Sequence, residues 1–170
     1  MKQLDLYIDF GSPGAYLAFK PTLALITDFQ LDVRWLPYTT KQTPIPTEAA
    51  DENRGETHRR VRAIARQQTH LKYAHLQNTA MHFADEPGNT RLAMAALLYV
   101  QERSTQARVE GFVASAYQAY WEDQLNLDDA TVIANLLERS GYDATEFNAS
   151  YLEKLDELGF EDDSFDVIVS

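Results

Sequence analysis

The sequence has no cysteine among its 170 residues. That excludes a disulfide, a thiolate metal site, a cysteine nucleophile and any dithiol redox cycle run by this chain itself. Long hydrophobic runs are missing as well: nowhere do about 18 apolar residues follow one another, as a membrane-spanning helix requires. The opening Met1-Lys2-Gln3-Leu4-Asp5 lacks the apolar stretch and cleavage site of a secretion signal, so the expected location is cytoplasmic. Positive charge is scarce, with 15 Lys and Arg against 26 Asp and Glu, a net charge of −11. The deficit is local. From Glu122 to Ser170, 14 acidic residues face only Arg139 and Lys154, whereas the preceding 121 residues are nearly balanced at +1. Nucleic-acid binding depends on clustered cations, so no nucleic-acid partner is expected. The acidic end favours solubility instead.

What the sequence does hold is a sharp transition near its start. Leu4, Leu6, Ile8 and Phe10 alternate with Asp5, Tyr7 and Asp9, the period of a strand. Gly11 permits a tight turn. Ser12 is then a hydroxyl N-cap, and Pro13 sits at the first helical position, where a missing N–H costs nothing. A strand breaking directly into a helix aims backbone N–H groups and the positive end of the helix dipole past Ser12, where an anion would be stabilised. Taken alone, the spacing leaves two readings of Ser12, a helix cap or an anion-stabilising hydroxyl.

The rest of the chain alternates between clear and weak signals. The helix after Ser12 should run from Pro13 to Asp28, with Pro21 kinking it or ending a first short piece. Leu31-Asp32-Val33-Arg34-Trp35-Leu36-Pro37 reads as a second strand, and so compact a strand–helix–strand unit favours a parallel pair. Tyr38 to Asn53, with Pro44 and Pro46, reads as a surface loop. Five of the 15 Lys and Arg then fall between Arg54 and Arg66, beside the apolar Val61, Ile64 and Ala65. This is an amphipathic helix with a basic face, either a solvated surface or a patch that steers substrate. Thr69 to Gly88 has poor periodicity and reads as a connection. Its His70, His75 and His82 are spaced five and seven apart, unlike a His-x-x-x-His pair, and no metal is expected. Asn89-Thr90 caps a strong helix carrying Leu92, Ala93, Ala96, Leu97 and Val100, and another follows from Ala107 to Asp123. Asp128 opens a further helix with Gly141 as its left-handed stop. The last runs from Asp143 to Gly159, and Phe165 to Val169 alternates as a short strand.

The segment Asp9-Phe10-Gly11-Ser12-Pro13-Gly14-Ala15-Tyr16-Leu17-Ala18 resembles the opening motif of the Ser-type branch of the DsbA-like thioredoxin superfamily. That branch includes 2-hydroxychromene-2-carboxylate isomerases and kappa-class glutathione transferases. In it the Ser replaces the first redox Cys and hydrogen-bonds the sulfur of bound glutathione, a role the resemblance implies for Ser12. The branch also carries a Lys-Gly whose Lys contacts a glutathione carboxylate, followed 12 residues later by an Arg; Arg54-Gly55 and Arg66 match that spacing. The resemblance therefore implies a carboxylate-binding role for Arg54, with Arg in place of Lys. Trp35-Leu36-Pro37, Asn89-Thr90, Ala119-Tyr120-Trp121-Glu122 and Ser140-Gly141-Tyr142-Asp143 resemble further family positions. The family's later Gly-Val-Pro strand, whose cis proline faces the active-site Ser, has no counterpart, since no proline follows Pro87.

The expected architecture is α/β: a thioredoxin-like β-α-β start, a large all-helical insertion and a reduced or incomplete sheet. It forms one domain over 1–170, with 1–40 and 159–170 as the thioredoxin-like part and 41–158 as the helical part. A homodimer or a second chain would complete such a sheet. Two functions compete. One is a glutathione-dependent isomerase or transferase acting on a small hydrophobic substrate, with Ser12 and Arg54 binding glutathione as cosubstrate. The other is a non-catalytic binding or assembly protein on the same scaffold. A dithiol oxidoreductase is ruled out by the missing cysteines, and no Gly-x-Ser-x-Gly elbow marks Ser12 as a nucleophile.

Overall fold

In the computed structural model, residues 3–40, 44–49, 51–85 and 87–158 are described. Two strands open the fold, β1 (Gln3–Ile8) and β2 (Asp32–Pro37), joined by α1 (Pro13–Phe29). They pair in parallel, with Leu4 opposite Val33 and Ile8 opposite Pro37, and form the only sheet among the described residues. Five more helices follow: α2 (Arg54–Leu76), α3 (Arg91–Glu102), α4 (Gln106–Trp121), α5 (Ala130–Arg139) and α6 (Ser150–Glu157). A single 3-10 turn, Ala144–Glu146, precedes α6. The architecture is α/β with a β-α-β start and a large helical insertion, as the sequence implies. The proposed strand at Phe165–Val169 and the stop at Gly159 lie outside the described residues.

The core is built around α3. Ala93 to Leu97, Tyr99 and Val100 are all buried, because this short helix packs on β2, α4, α5 and α6 at once. Its small residues allow close approach of the neighbours, while Met94 and Leu97 fill the gaps between them. From the sheet come Ile8, Val33 and Trp35, and from α4 Phe112, Val113, Ala116 and Tyr117, all buried. The outer edge of β2 is covered by side chains. Gln106 accepts the Val33 N–H at 3.1 Å and donates to the Leu31 carbonyl at 3.2 Å, while Gln101 accepts the Trp35 N–H at 2.8 Å. These amides satisfy backbone groups that would otherwise be orphaned at a sheet edge.

Two expectations change on contact with the structure, and the reading of Pro21 is narrowed to one of its alternatives. Pro21 does not end α1, which continues to Phe29. The proline is exposed, and the helix tolerates one lost N–H and closes on Gln30 in a left-handed conformation at φ 51°. The basic helix is also longer than its charged stretch: α2 runs on through Thr69 to Leu76, and only Ala74 of it is buried. With so little apolar face to detect, its start is set by a capping box in which Asn53 accepts from Glu56 N–H and Glu56 accepts from Asn53 N–H. Finally, the helix expected from Asp143 is broken. Asp143 caps the 3-10 turn by accepting from Thr145 at 2.9 Å, and α6 starts only at Ser150.

Candidate functional site

Ser12 occupies the place its sequence context suggests. Its backbone is extended (φ −84°, ψ 118°), and its hydroxyl oxygen accepts the N–H of Ala15 at 3.3 Å. Tyr16 N–H goes to the Ser12 carbonyl at 3.1 Å. Pro13 has no N–H, and that of Gly14 meets no partner among the described hydrogen bonds. Ser12 is half-buried. Its oxygen is used as an acceptor, so its hydrogen remains to be donated outward. The first turn of α1 thus presents a hydroxyl donor, one backbone donor and the positive helix end at one point.

The turn is held by Asp9, which is 4% exposed. Its Oδ1 accepts the Gly11 N–H at 2.8 Å, and its Oδ2 accepts the Thr40 N–H at 2.9 Å and the Thr40 hydroxyl. One carboxylate therefore ties the end of β1 to the loop after β2. From the other side, Trp121 Nε1 donates to the Phe10 carbonyl at 3.0 Å, and Tyr117 donates to the Asp9 carbonyl at 3.4 Å. Tyr16 stacks on Trp121 with ring centroids 5.7 Å apart, and its hydroxyl reaches the Ala80 carbonyl at 2.8 Å and Glu122 at 3.1 Å. Burial and the nearby Glu122 carboxylate push the Tyr16 phenol upward. Sequence alternation placed Asp9 on the polar face of a strand. What could have exposed its role is an acid two residues before a glycine at a strand end, in position to accept that glycine's N–H.

Beside the turn lies a cleft of about 510 Å³. Gly11 and Pro13 form its floor at the start of α1, and Pro44, Ile45 and Thr47 line it from the loop after β2. One face of α2 contributes Ala63, Arg66, Gln67 and His70, spaced for neighbouring turns. Phe83 and Asp85 come from the connection to α3, and Tyr120 and Trp121 from the end of α4. The aromatic end of α4 thus serves both core and cleft: Trp121 is buried, whereas Tyr120 is half-buried with its hydroxyl against Gly88 N–H at 3.1 Å. Arg66 is exposed, and no ion pair among the described residues engages it. By contrast, Arg60 on the same helix is committed to Glu52 at 2.9 Å.

Arg54 stands exposed at the first position of α2 and is not part of the cleft lining. Twelve helical residues separate it from Arg66, a rise of about 18 Å. Gly11 and Pro13, on either side of Ser12, line the cleft together with Arg66, whereas Ser12 itself is not among the lining residues, and Arg54 lies at the far end of the same helix. Among the described residues, no group of three His, Asp or Glu side chains could hold a metal ion. No helix among them is long and apolar enough to cross a membrane.

Residues 3–158 match the family model of the DsbA-like thioredoxin domain. The fold is similar to that of 2-hydroxychromene-2-carboxylate isomerase, with a TM-score of 0.70 and 21% identity over 91% of this chain and 76% of that one. It is also similar to a candidate protein disulfide isomerase from Nitrosomonas europaea, with a TM-score of 0.63 and 14% identity over 94% of this chain and 77% of that one. Among curated protein sequences, none matches.

Proposed function

The chain belongs to the DsbA-like thioredoxin family, and from that premise we propose that it is a glutathione-dependent isomerase or transferase acting on a small hydrophobic substrate. The observation that carries the reading is Ser12 at the N-terminus of α1, beside a cleft that also holds an uncommitted guanidinium, Arg66. The cysteine-free chain cannot run the dithiol chemistry of the redox members of its family. The residues present fit a bound tripeptide thiol. About 510 Å³ lies within the range of small-molecule clefts, and the site has donors for both a sulfur anion and a carboxylate.

In this reading the Ser12 hydroxyl and the Gly14 N–H donate to the sulfur, and the dipole of α1 favours its anionic form. Bound glutathione supplies the thiolate nucleophile that the chain lacks. Arg66 holds a carboxylate through a charge-assisted pair, which a guanidinium can make bidentate. Arg54 is the alternative anchor that the family resemblance implies, and the two are separable because they stand three turns apart on α2. Ile45, Phe83, Tyr120 and Trp121 give an apolar and aromatic wall for the second substrate, a category that includes the aromatic carboxylate named in the structurally similar isomerase.

Calorimetric titration of reduced glutathione into the protein tests this directly. Saturable binding is expected, weakened at least tenfold by Ser12→Ala and by Arg66→Ala. A larger loss in Arg54→Ala than in Arg66→Ala would move the carboxylate anchor to the helix start. No saturation at millimolar ligand would overturn the glutathione reading and favour a non-catalytic binding role on the same scaffold.

A further inference from the structure

Of the residues lining the cleft, His70 has an environment that the binding reading does not use. It lies one turn after Arg66 on the inner face of α2, is half-buried, and stacks on Phe83 with ring centroids 6.3 Å apart and planes 25° from parallel. No hydrogen bond or ion pair among the described residues occupies either ring nitrogen. The imidazole is oriented by an aromatic face, and its nitrogens remain free in the same cleft that Gly11 and Pro13 line.

We propose that His70 is the proton acceptor of this cleft, taking the proton of a bound thiol whose sulfur is held at the start of α1. The inference rests on the glutathione reading and adds to it the question of where the thiol proton goes. The balance is simple: the S–H bond breaks, an N–H bond forms on the imidazole, and the thiolate and imidazolium remain together in the cleft with no net loss of a proton to solvent. Reprotonation of a product reverses the same transfer.

The groups around the imidazole suit that task. Burial, and secondarily the charge of Arg66, lower the His70 pKa below its ordinary value, which keeps the ring neutral before the transfer and makes the imidazolium depend on the thiolate formed beside it. The charged and titratable groups on the other walls are Asp85, from the connection to α3, and Tyr120, from α4. Asp85 supplies a negative charge on the same cleft, and the thiolate itself supplies another once the proton has moved. The thiolate is present only after the transfer, and from then on it favours the imidazolium.

The test follows the ring rather than turnover. Nuclear magnetic resonance signals of the four imidazoles, assigned by His→Gln variants, are recorded at pH 7 with reduced glutathione and with S-methylglutathione. The second ligand has the same carboxylates and no thiol proton. His70 should move to its protonated position with glutathione and stay neutral with the methylated ligand, while His58, His75 and His82 should not change. Binding heats measured in buffers of different ionisation enthalpy should show no proton release for the native protein and a release of up to one proton for His70→Gln. If the His70 signal responds equally to both ligands, or stays neutral with glutathione bound, the proton-acceptor role is overturned while the glutathione reading stands. If neither ligand binds, the glutathione reading fails, and this inference falls with it.

Discussion

The indole N–H of Trp121 donates to the carbonyl of Phe10 at 3.0 Å, joining the last residue of α4 to the turn that precedes Ser12. Both groups are buried, so the bond cannot be exchanged for water. Replacing Trp121 by Phe leaves the Phe10 carbonyl without this donor and opens space in the aromatic packing against Tyr16. Stability should fall by about 2 kcal/mol, read as a lower urea midpoint with an unchanged slope. A variant as stable as the native protein would show that the bond does not hold the turn.

Asp9 should be more demanding. Its carboxylate accepts from Gly11 and from both donors of Thr40. In Asp9→Ala all three lose their acceptor, Gly11 in a buried setting and Thr40 in a partly buried one, a loss of about 3 kcal/mol. The damage should also be local. Amide hydrogen exchange of Gly11 and Thr40 should accelerate well beyond that of α3.

Tyr151 anchors α6. Its ring is buried against Tyr99 at 5.3 Å, its hydroxyl donates to Glu102 at 3.0 Å, and the guanidinium of Arg103 donates to that same hydroxyl. Tyr151→Ala should destabilise by about 3 kcal/mol and release α6 to rapid exchange, whereas Tyr151→Phe should lose only about 1 kcal/mol. Equal effects from the two variants would contradict the ring as the anchor.

Of the phenols whose pKa is raised, Tyr117 and Tyr16 are shifted most. Tyr117, nearly enclosed and close to the Asp9 carboxylate, has its pKa raised by burial first and by that charge second; Tyr16 is raised by burial and by Glu122. Both folded values lie above the ordinary 10.0. Above that pH the unfolded chain gives up protons that the folded chain retains, so stability is fully present below about pH 10 and falls as pH rises further. Tyr117 alone contributes a slope of about 1.4 kcal/mol per pH unit there. In Tyr117→Phe the alkaline decline in urea midpoint should become shallower; an unchanged slope would assign it elsewhere.

Local chemistry accounts for what the sequence disclosed. The β-α-β start, the Ser12 cap and the left-handed Gly141 at φ 84° all follow from residues within a few positions of one another. The later part of α2 did not show itself, because its helical state depends on a cap at Asn53 rather than on an apolar stripe. The cleft could not be read from spacing. Gly11, Ile45, His70, Asp85 and Tyr120 come from five separate segments, and only packing around α3 and α4 brings them together. Arg66 was visible as a family spacing, but its place opposite the start of α1 emerges only in three dimensions.

The two glutamines beside β2 carry a consequence for assembly. Strand addition works by offering fresh amides to an unoccupied row, and on this side the row is already occupied by Gln101 and Gln106. An incoming peptide would have to evict both before it could form a rung. Among the described residues the two-stranded sheet therefore has a direction: its β2 side is closed by side chains, and a strand added at β1 would displace neither glutamine.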